Sequence, residues 1–211
     1  MNQDDTKLHW ENIYTEKLAE EVSWYQQEPT VSLEIIQDLS DKNARIIDIG
    51  GGLSVLIDHL LKAGYTNLAL LDISGKAIRD VKKRLSHQAS KVEWFERDIT
   101  EFAPPHSYDI WHDRAVFHFL TDIKSRQLYV DALKNAVKPG SHVIIAAFAK
   151  NGPRQCSGLD IVQYDNFSIQ HELGDEFILL KSQKETHMTP TEKEQRFIYF
   201  VFQRQSNLIV E

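Results

Sequence analysis

The segment RIIDIGGGLSVLIDHLL, residues 45–61, places three consecutive glycines between a strand-like apolar run and a helix-like one. A strand, a glycine turn and a helix recur where a nucleotide-like ligand sits at the carboxyl ends of parallel strands, because missing side chains let the backbone approach the ligand. The spacing therefore predicts a ligand-binding turn formed by Asp48, Gly50, Gly51, Gly52 and Ser54.

The residues that follow the glycines argue against two phosphate-binding motifs. A dinucleotide fingerprint, G-x-G-x-x-G/A, that begins at Gly50 requires Gly or Ala at position 55, where the chain has Val55. A phosphate-binding P-loop requires Gly-Lys-Ser/Thr at the start of the helix, and this sequence has no lysine there. Neither motif is favoured.

Two further acids follow apolar runs. Asp72 comes after four apolar residues and shortly before Ser74, which is suited to cap a helix. A carboxylate in such a position needs a partner for its charge, so we expect Asp72 to contact a ligand. Asp98 follows the apolar run at 92–95, although Asp is common after strands.

Alternating apolar and amphipathic runs predict the elements that hold these residues, namely a parallel sheet with crossover helices. Strands are predicted at 44–49, 67–71, 92–95, 108–112 and 142–148, the last of them central because it is the most apolar. Helices are predicted at 53–63, 74–87, 122–137 and 166–173. The runs 176–186 and 195–202 are joined by a segment too short for a helix and should form an antiparallel hairpin.

Residues 1–43 contain no predicted strand and form one or two helices, whereas residues 44–211 form the ligand-binding domain, the two making one compact domain. Trp10 and Tyr14 stand one helical turn apart, and Trp24 and Tyr25 follow. This segment is predicted to fold over the ligand as a lid, and simple packing of a helix on the domain is the alternative.

The pattern D-x-G-x-G-x-S at residues 48–54 resembles the first motif, D/E-x-G-x-G-x-G, of the class I S-adenosylmethionine (SAM)-dependent methyltransferases, with Ser54 in place of the last glycine. YDIWHD resembles the fourth-strand motif of that family and LKNAVKPGSHVII its fifth-strand motif. The resemblance covers roughly residues 40–204. It implies a Rossmann-like α/β fold: a seven-stranded, mostly parallel sheet with an antiparallel last strand and helices on both faces.

The resemblance implies SAM as the cofactor. It places Asp48 near the methionine end of SAM, Asp72 on the two ribose hydroxyls and Asp98 on the adenine amino group. The cofactor-binding residues that it implies are Asp48, Gly50, Gly51, Gly52, Ser54, Asp72, Ile73, Asp98, Ile99, His112, Trp10 and Tyr14.

Methyl transfer from SAM is an in-line displacement, so the enzyme mainly positions the acceptor and removes its proton where it carries one. Residues at the end of the fourth strand and just after it should face the methyl group. In this chain they lie in the segment WHDRAVFHFL. Asp113 or His118 is predicted to accept a proton, and Arg114 to pair with a carboxylate of the acceptor. Two alternatives stay open: His118 lies on the packing face of a helix, and Arg114 forms an ion pair at the surface.

The W-x-x-x-Y entry followed by a W-Y pair also resembles small methyltransferases that modify lysines of elongation factor 1A and citrate synthase. Those enzymes carry an acid-lysine-glycine motif after the fourth strand, where this chain has Asp113-Arg114-Ala115. The residues predicted to contact the acceptor are Trp24, Tyr25 and Arg154.

Composition limits the remaining possibilities. With 31 acidic residues against 24 Lys and Arg, the net charge of −7 opposes a general grip on nucleic acid. The N-terminus lacks a signal-peptide pattern and the longest apolar run, 143–149, is too short to span a membrane. One cysteine and scattered histidines predict a cytoplasmic protein without a metal.

The leading hypothesis from the sequence is a SAM-dependent methyltransferase that acts on an O, N or S atom of a small molecule. A protein-lysine methyltransferase is the second hypothesis, motivated by the N-terminal aromatic residues. A non-catalytic SAM-binding module is the third, although Asp48, Asp72 and Asp98 are all present. The sequence leaves the oligomeric state open.

Overall fold

The computed structural model describes residues 3–206. Most strands belong to one seven-stranded sheet, and two short ones form a separate hairpin. In chain order they are β1 Arg45–Ile49, β2 Asn67–Asp72, β3 Val92–Glu96, β4 Tyr108–Arg114, β5 Val137–Phe148, β6 Gln155–Cys156, β7 Leu159–Asp160, β8 Phe177–Met188 and β9 Glu194–Arg204. The separate hairpin is β6 and β7, which lie between β5 and β8 in the chain.

The large sheet has the strand order β3-β2-β1-β4-β5-β9-β8. Neighbouring strands among β1 to β5 are parallel, whereas β9 runs antiparallel to both β5 and β8. The predicted seven-stranded, mostly parallel fold with a terminal hairpin is confirmed. Strand β5, predicted to be central, is an interior strand beside the middle strand β4. The carboxyl ends of five parallel strands therefore meet at one edge, where ligands bind in such sheets.

Six α-helices accompany the described part of the sheet: α1 Gln3–Glu16, α2 Thr30–Leu39, α3 Leu56–Lys62, α4 Gly75–Leu85, α5 Ile123–Ala136 and α6 Asn166–Leu173. Ser74 caps α4 as predicted, because its side chain accepts a hydrogen bond from the amide of Ala77. Asp122 caps α5 through the amide of Ser125 in the same way. In this part of the chain no helix has both the length and the apolarity to cross a membrane.

Each face of the sheet carries its own apolar cluster. Ile46 belongs to the cluster packed with α2, α3 and α4, whereas its neighbour Ile47 belongs to the cluster packed with α5 and α6. This alternation follows from the strand period of two residues, and burial on both faces is usual for parallel strands. Helices therefore cover both faces, as predicted.

The N-terminal helices contribute to the first cluster. Leu33 and Ile36 of α2 are buried in it, and so is Tyr14 of α1. The amide of Lys76 at the start of α4 donates to the carboxylate of Glu11, which holds α1 beside α4. The predicted helices of this segment are confirmed for the described residues, and positions 1 and 2 lie outside them. Its action as a lid stays a prediction.

Two element boundaries differ from the prediction near the glycine turn and β4. Strand β4 continues through Asp113 and Arg114, because these residues pair with Ile145 and Ala146 of β5. Helix α3 begins three residues later than predicted, since Ser54 is used to close the turn: its amide donates to the carbonyl of Gly51. Both shifts change which side chains face the ligand edge.

Candidate functional site

A pocket opens at the carboxyl ends of the parallel strands, beneath the N-terminal segment. Its empty volume, including space open to solvent, is about 1210 Å³. The structure brings most of the predicted site residues to its wall: Trp10, Tyr14, Trp24, Tyr25, Asp48, Gly50, Gly51, Ser54, Asp72, Ile73, Asp98, Ile99, His112 and Arg114. Residues distant in the sequence thus share one concave site at the edge where ligands bind in such sheets.

The glycine turn has a backbone that side chains would obstruct. Gly50 and Gly52 have φ values of +60° and +49°, in the left-handed region that glycine adopts without strain. A Cβ atom on Gly50 would overlap Cγ2 of Val116, and one on Gly52 would overlap the hydroxyl of Tyr14. The bare turn therefore lets α1 and the segment after β4 close over the ligand edge.

Replacing Gly52 with alanine tests this packing. We expect Gly52→Ala to lower the free energy of unfolding by about 1–2 kcal/mol through left-handed strain and to weaken SAM binding, because Tyr14 is displaced. Gly64→Ala is the matched control. Gly64 has a φ of +92°, and nothing lies within 4 Å of a Cβ added there, so this variant introduces backbone strain without steric overlap. Denaturant unfolding and calorimetric titration with SAM measure both effects. Equal SAM affinity in the two variants would contradict the packing argument.

Asp48 and His112 form a buried pair at the centre of the edge. They lie opposite each other on β1 and β4, and Nδ1 of His112 lies 2.7 Å from Oδ1 of Asp48. Because an ionised carboxylate only accepts hydrogen bonds, Nδ1 carries a proton and donates it. The second oxygen of Asp48, Oδ2, is buried without a partner among the described residues. This unpaired oxygen suits a cationic group of a ligand.

Asp72 closes β2 and holds the glycine turn. Its carboxylate accepts hydrogen bonds from the amides of Gly52 and Ser74, each at 2.8 Å. Burial, reinforced by the charges of Asp48 and Glu11, raises the pKa of Asp72 to about 7 although the two amides oppose the shift. A buried carboxylate with a raised pKa gains from new hydrogen-bond donors such as ribose hydroxyls.

Asp98 follows β3 and caps a short 3-10 helix, Ile99–Glu101. One of its oxygens, Oδ1, accepts hydrogen bonds from the amide and the hydroxyl of Thr100. Asp98 lines the pocket together with Ile73 and Ile99, which supply apolar walls. This combination of a carboxylate and two flat apolar contacts suits an adenine ring and its amino group.

Aromatic rings cover the pocket from the N-terminal side. Trp10 and Tyr14 stack one turn apart on α1, with ring centroids 6.1 Å apart. Trp24 meets Trp10 edge to face at 5.8 Å, and Phe119 meets it at 5.1 Å. The four rings form an apolar roof whose π-faces attract positive charge.

The structure overturns the prediction that Asp113 acts on the acceptor. Its carboxylate is fully buried and accepts hydrogen bonds from the amides of Val116 and Phe117 and from the hydroxyl of Tyr129. Burial raises the pKa of Asp113 to about 6 against these hydrogen bonds. Asp113 is not part of the pocket wall. It shapes the segment after β4 instead of facing a ligand.

His118 and Arg154 also lie away from the pocket, which corrects both predictions. The ring of His118 is fully buried against Phe119 and Phe148. Burial lowers the pKa of His118 to about 3, so the ring stays neutral. This agrees with the alternative in which His118 only packs in the core. Arg154 is exposed in the loop before β6 and does not line the pocket.

Arg114 lines the pocket but already has partners within the chain. Its Nη1 donates to the carbonyl of Trp24 and its Nε to the hydroxyl of Tyr199, both at 3.0 Å. A largely buried ion pair joins it to Glu185 at 3.5 Å, and its guanidinium lies over the ring of Phe197. Arg114 therefore fastens the N-terminal segment to the sheet, and its pairing with an acceptor carboxylate stays a prediction.

Several pocket residues are absent from the sequence prediction. Ser32 of α2 is fully buried, and its Oγ lies 2.9 Å from Nε2 of His112. Cys156 lines the pocket with a thiol whose pKa is raised by burial. Arg97 lines it beside Asp98. Only Arg97 had a sequence signal, its place after β3, because the other two reach the pocket through tertiary packing.

Comparison with known proteins identifies the domain. A family model described as a methyltransferase domain matches residues 47–143, from β1 into β5. No curated protein matches the sequence.

Solved structures share the fold at low sequence identity. A SAM-dependent methyltransferase from Anabaena variabilis has a TM-score of 0.76 at 14% identity, covering 97% of this chain and 96% of that one. A protein solved for the conversion of a disulfide bond into a thioacetal group during echinomycin biosynthesis has a TM-score of 0.77 at 16% identity, covering 95% and 94%. The 1,6-didemethyltoxoflavin-N1-methyltransferase of Burkholderia thailandensis has a TM-score of 0.70 at 13% identity, covering 97% and 87%.

The matched domain and the shared fold agree with the motifs read from the sequence. Residues 47–143 match a methyltransferase domain, and the chain has the fold of solved SAM-dependent methyltransferases.

Proposed function

We propose that this protein transfers the methyl group of SAM to a small-molecule acceptor. The observation that carries the proposal is the arrangement of Asp48, Asp72 and Asp98 along one wall of a single covered pocket, at the ends of successive strands β1, β2 and β3. The charge of Asp48 raises the pKa of Asp72, and a ligand that supplies hydrogen-bond donors and positive charge relieves this repulsion.

The chain's own residues suit each part of SAM. The unpaired Oδ2 of Asp48 is the acceptor for the ammonium group of the methionine end. Asp72 accepts hydrogen bonds from the ribose hydroxyls, and Asp98 accepts one from the adenine amino group. The adenine ring lies between Ile73 and Ile99. The aromatic roof supplies π-faces to the positive sulfonium, an attraction that grows when water is excluded. When bound, SAM supplies an activated methyl group.

The acceptor half of the pocket supports a small molecule over a protein. Trp24 and Tyr25 cover it, and Arg114 holds the backbone of Trp24 against the sheet. A protein lysine would have to thread beneath this cover, whereas a small acceptor can be enclosed and kept from water. The Burkholderia enzyme, whose acceptor is 1,6-didemethyltoxoflavin, is a small-molecule relative in fold.

Two measurements test the proposal. Thermal unfolding is monitored with SAM and with S-adenosylhomocysteine, and we expect both to raise the melting temperature by mass action. The protein is then incubated with methyl-labelled SAM and either a small-molecule extract or a dialysed protein lysate, with heat-denatured protein as the control.

Label in the small-molecule extract supports the proposal. Label confined to protein bands would replace it with the protein-lysine function. Stabilisation by SAM without label in either fraction would favour a non-catalytic SAM-binding module, and no stabilisation by either compound would reject SAM binding.

A further inference from the structure

A chain of hydrogen bonds leads from the methyl-transfer edge into the N-terminal segment. Oδ1 of Asp48 accepts from Nδ1 of His112 at 2.7 Å, and Nε2 of His112 lies 2.9 Å from Oγ of Ser32. In the tautomer whose Nδ1 proton is donated to Asp48, Nε2 has a lone pair to which the hydroxyl of Ser32 is placed to donate. All three residues are buried, and all three line the pocket.

A phenol and a carboxylate lie beyond Ser32. The Ser32 hydroxyl lies 3.5 Å from that of Tyr199, which lies 3.3 Å from a carboxylate oxygen of Glu185. Arg114 donates to Tyr199 at 3.0 Å and so orients the phenol toward Glu185. A serine hydroxyl placed to donate to an imidazole, with both residues lining the pocket, has the geometry of a proton relay.

We propose that Ser32 and His112 take the proton of the methyl acceptor, so that the acceptor is a molecule whose nucleophilic atom enters protonated: a hydroxyl or an ammonium group. This inference rests on the proposed methyltransferase function and narrows its acceptor class. It assigns the role expected of Asp113 or His118 to residues that line the pocket.

The proposed step balances in atoms and charge. The bond between the acceptor atom and its hydrogen breaks, and that proton moves to Oγ of Ser32 while the hydroxyl proton of Ser32 moves to Nε2 of His112. The electron pair left on the acceptor atom forms the bond to the methyl carbon, and the pair of the carbon–sulfur bond returns to sulfur. The sulfonium charge is lost as an imidazolium charge forms, and the Asp48 carboxylate beside His112 stabilises it.

The roles are separated by Ser32→Ala, His112→Gln and the double variant, assayed for transfer from methyl-labelled SAM to the small-molecule extract. We expect Ser32→Ala to lower turnover about 100- to 10,000-fold, the usual contribution of positioned acid–base groups, with calorimetric SAM affinity within about twofold of wild type. The double variant should be no slower than the slower single variant, because both residues serve one step. Ser40→Ala is the matched control: Ser40 directly follows α2, and its hydroxyl donates to the carbonyl of Ile36, outside the pocket.

The outcomes distinguish the relay from the underlying function. Absence of label with wild-type protein would reject the proposed methyltransferase function and the relay with it. Label at the wild-type rate in Ser32→Ala would reject the relay alone. Additive losses in the double variant would also reject it, since they indicate two independent structural effects. Mass spectrometry of the product should place the methyl group on oxygen or nitrogen, and methylation of a thioether sulfur would overturn the acceptor class.

Discussion

Asp72→Ala should lower the affinity for SAM by about 100-fold in calorimetric titration. Loss of two hydrogen bonds to an ionised carboxylate, at about 1.5 kcal/mol or more for each ribose hydroxyl, accounts for this factor. The variant also leaves the amides of Gly52 and Ser74 without their acceptor, so the glycine turn loosens as well. Asp72→Asn keeps one acceptor oxygen and should bind SAM with intermediate affinity.

The affinity for SAM should also depend on pH through Asp72. Burial raises the pKa of this carboxyl to about 7 in the free protein, whereas ribose hydroxyls donate to the ionised form and lower its pKa. Binding therefore releases a proton near neutral pH. Affinity should be constant above about pH 7 and fall toward tenfold per pH unit below it.

The same shift has the opposite sense for the stability of the free protein. Because the native state keeps its proton on Asp72 up to about pH 7 while the unfolded chain loses it near pH 3.8, this group's contribution to stability declines as pH rises between those values. Above pH 7 the cost of the buried charge is constant. SAM should thus stabilise the protein most above about pH 7, where Asp72 is ionised.

Asp58→Asn is the matched control for both measurements. Asp58 is a carboxylate on α3 that pairs with Arg84 and does not line the pocket. Its removal should leave the affinity for SAM and the proton release unchanged. If Asp72→Asn binds SAM as tightly as Asp58→Asn does and keeps the pH dependence, the ribose assignment is wrong.

The cofactor half of the site could be predicted from the sequence because its signals are local. Gly50 and Asp72 each stand at the end of a strand that an apolar run identifies, and the carboxyl ends of parallel strands meet at one edge. Residue type and position along the chain were sufficient there. The parallel sheet with crossover helices followed from the same pattern.

The acceptor half could not be predicted in this way, and β4 shows one reason. The sequence predicts that this strand ends at residue 112, but it continues through Arg114. Side chains alternate along a strand, so His112 and Arg114 share the face toward the pocket while Asp113 points to the other face. A boundary error of two residues was enough to assign Asp113 the wrong role.

Ser32 shows the second reason. It lies 80 residues before His112 in the sequence, on a helix without any motif, and reaches the ring only because α2 packs on the sheet. In the sequence, Ser32 looks like any other serine in a helix. Long-range packing of this kind leaves no local signal, and the same holds for Cys156.

Asp113→Ala should destabilise the fold by about 3 kcal/mol in denaturant unfolding. The substitution leaves the amides of Val116 and Phe117 and the hydroxyl of Tyr129 without an acceptor in a buried region, at about 1 kcal/mol or more for each donor. The affinity of the folded variant for SAM should change much less than in Asp72→Ala, because Asp113 does not line the pocket.

Asp109→Ala provides the comparison on the same strand. Asp109 also accepts a hydrogen bond from a backbone amide, that of Arg45 at 2.8 Å, but this bond is exposed. Water can replace it, so the loss should be within about 0.5 kcal/mol. Burial of the freed donors is then the difference between the two variants. Wild-type stability in Asp113→Ala, together with lost methyl transfer, would instead return Asp113 to the catalytic step, since a group that acts only on the acceptor is not needed to hold the segment after β4.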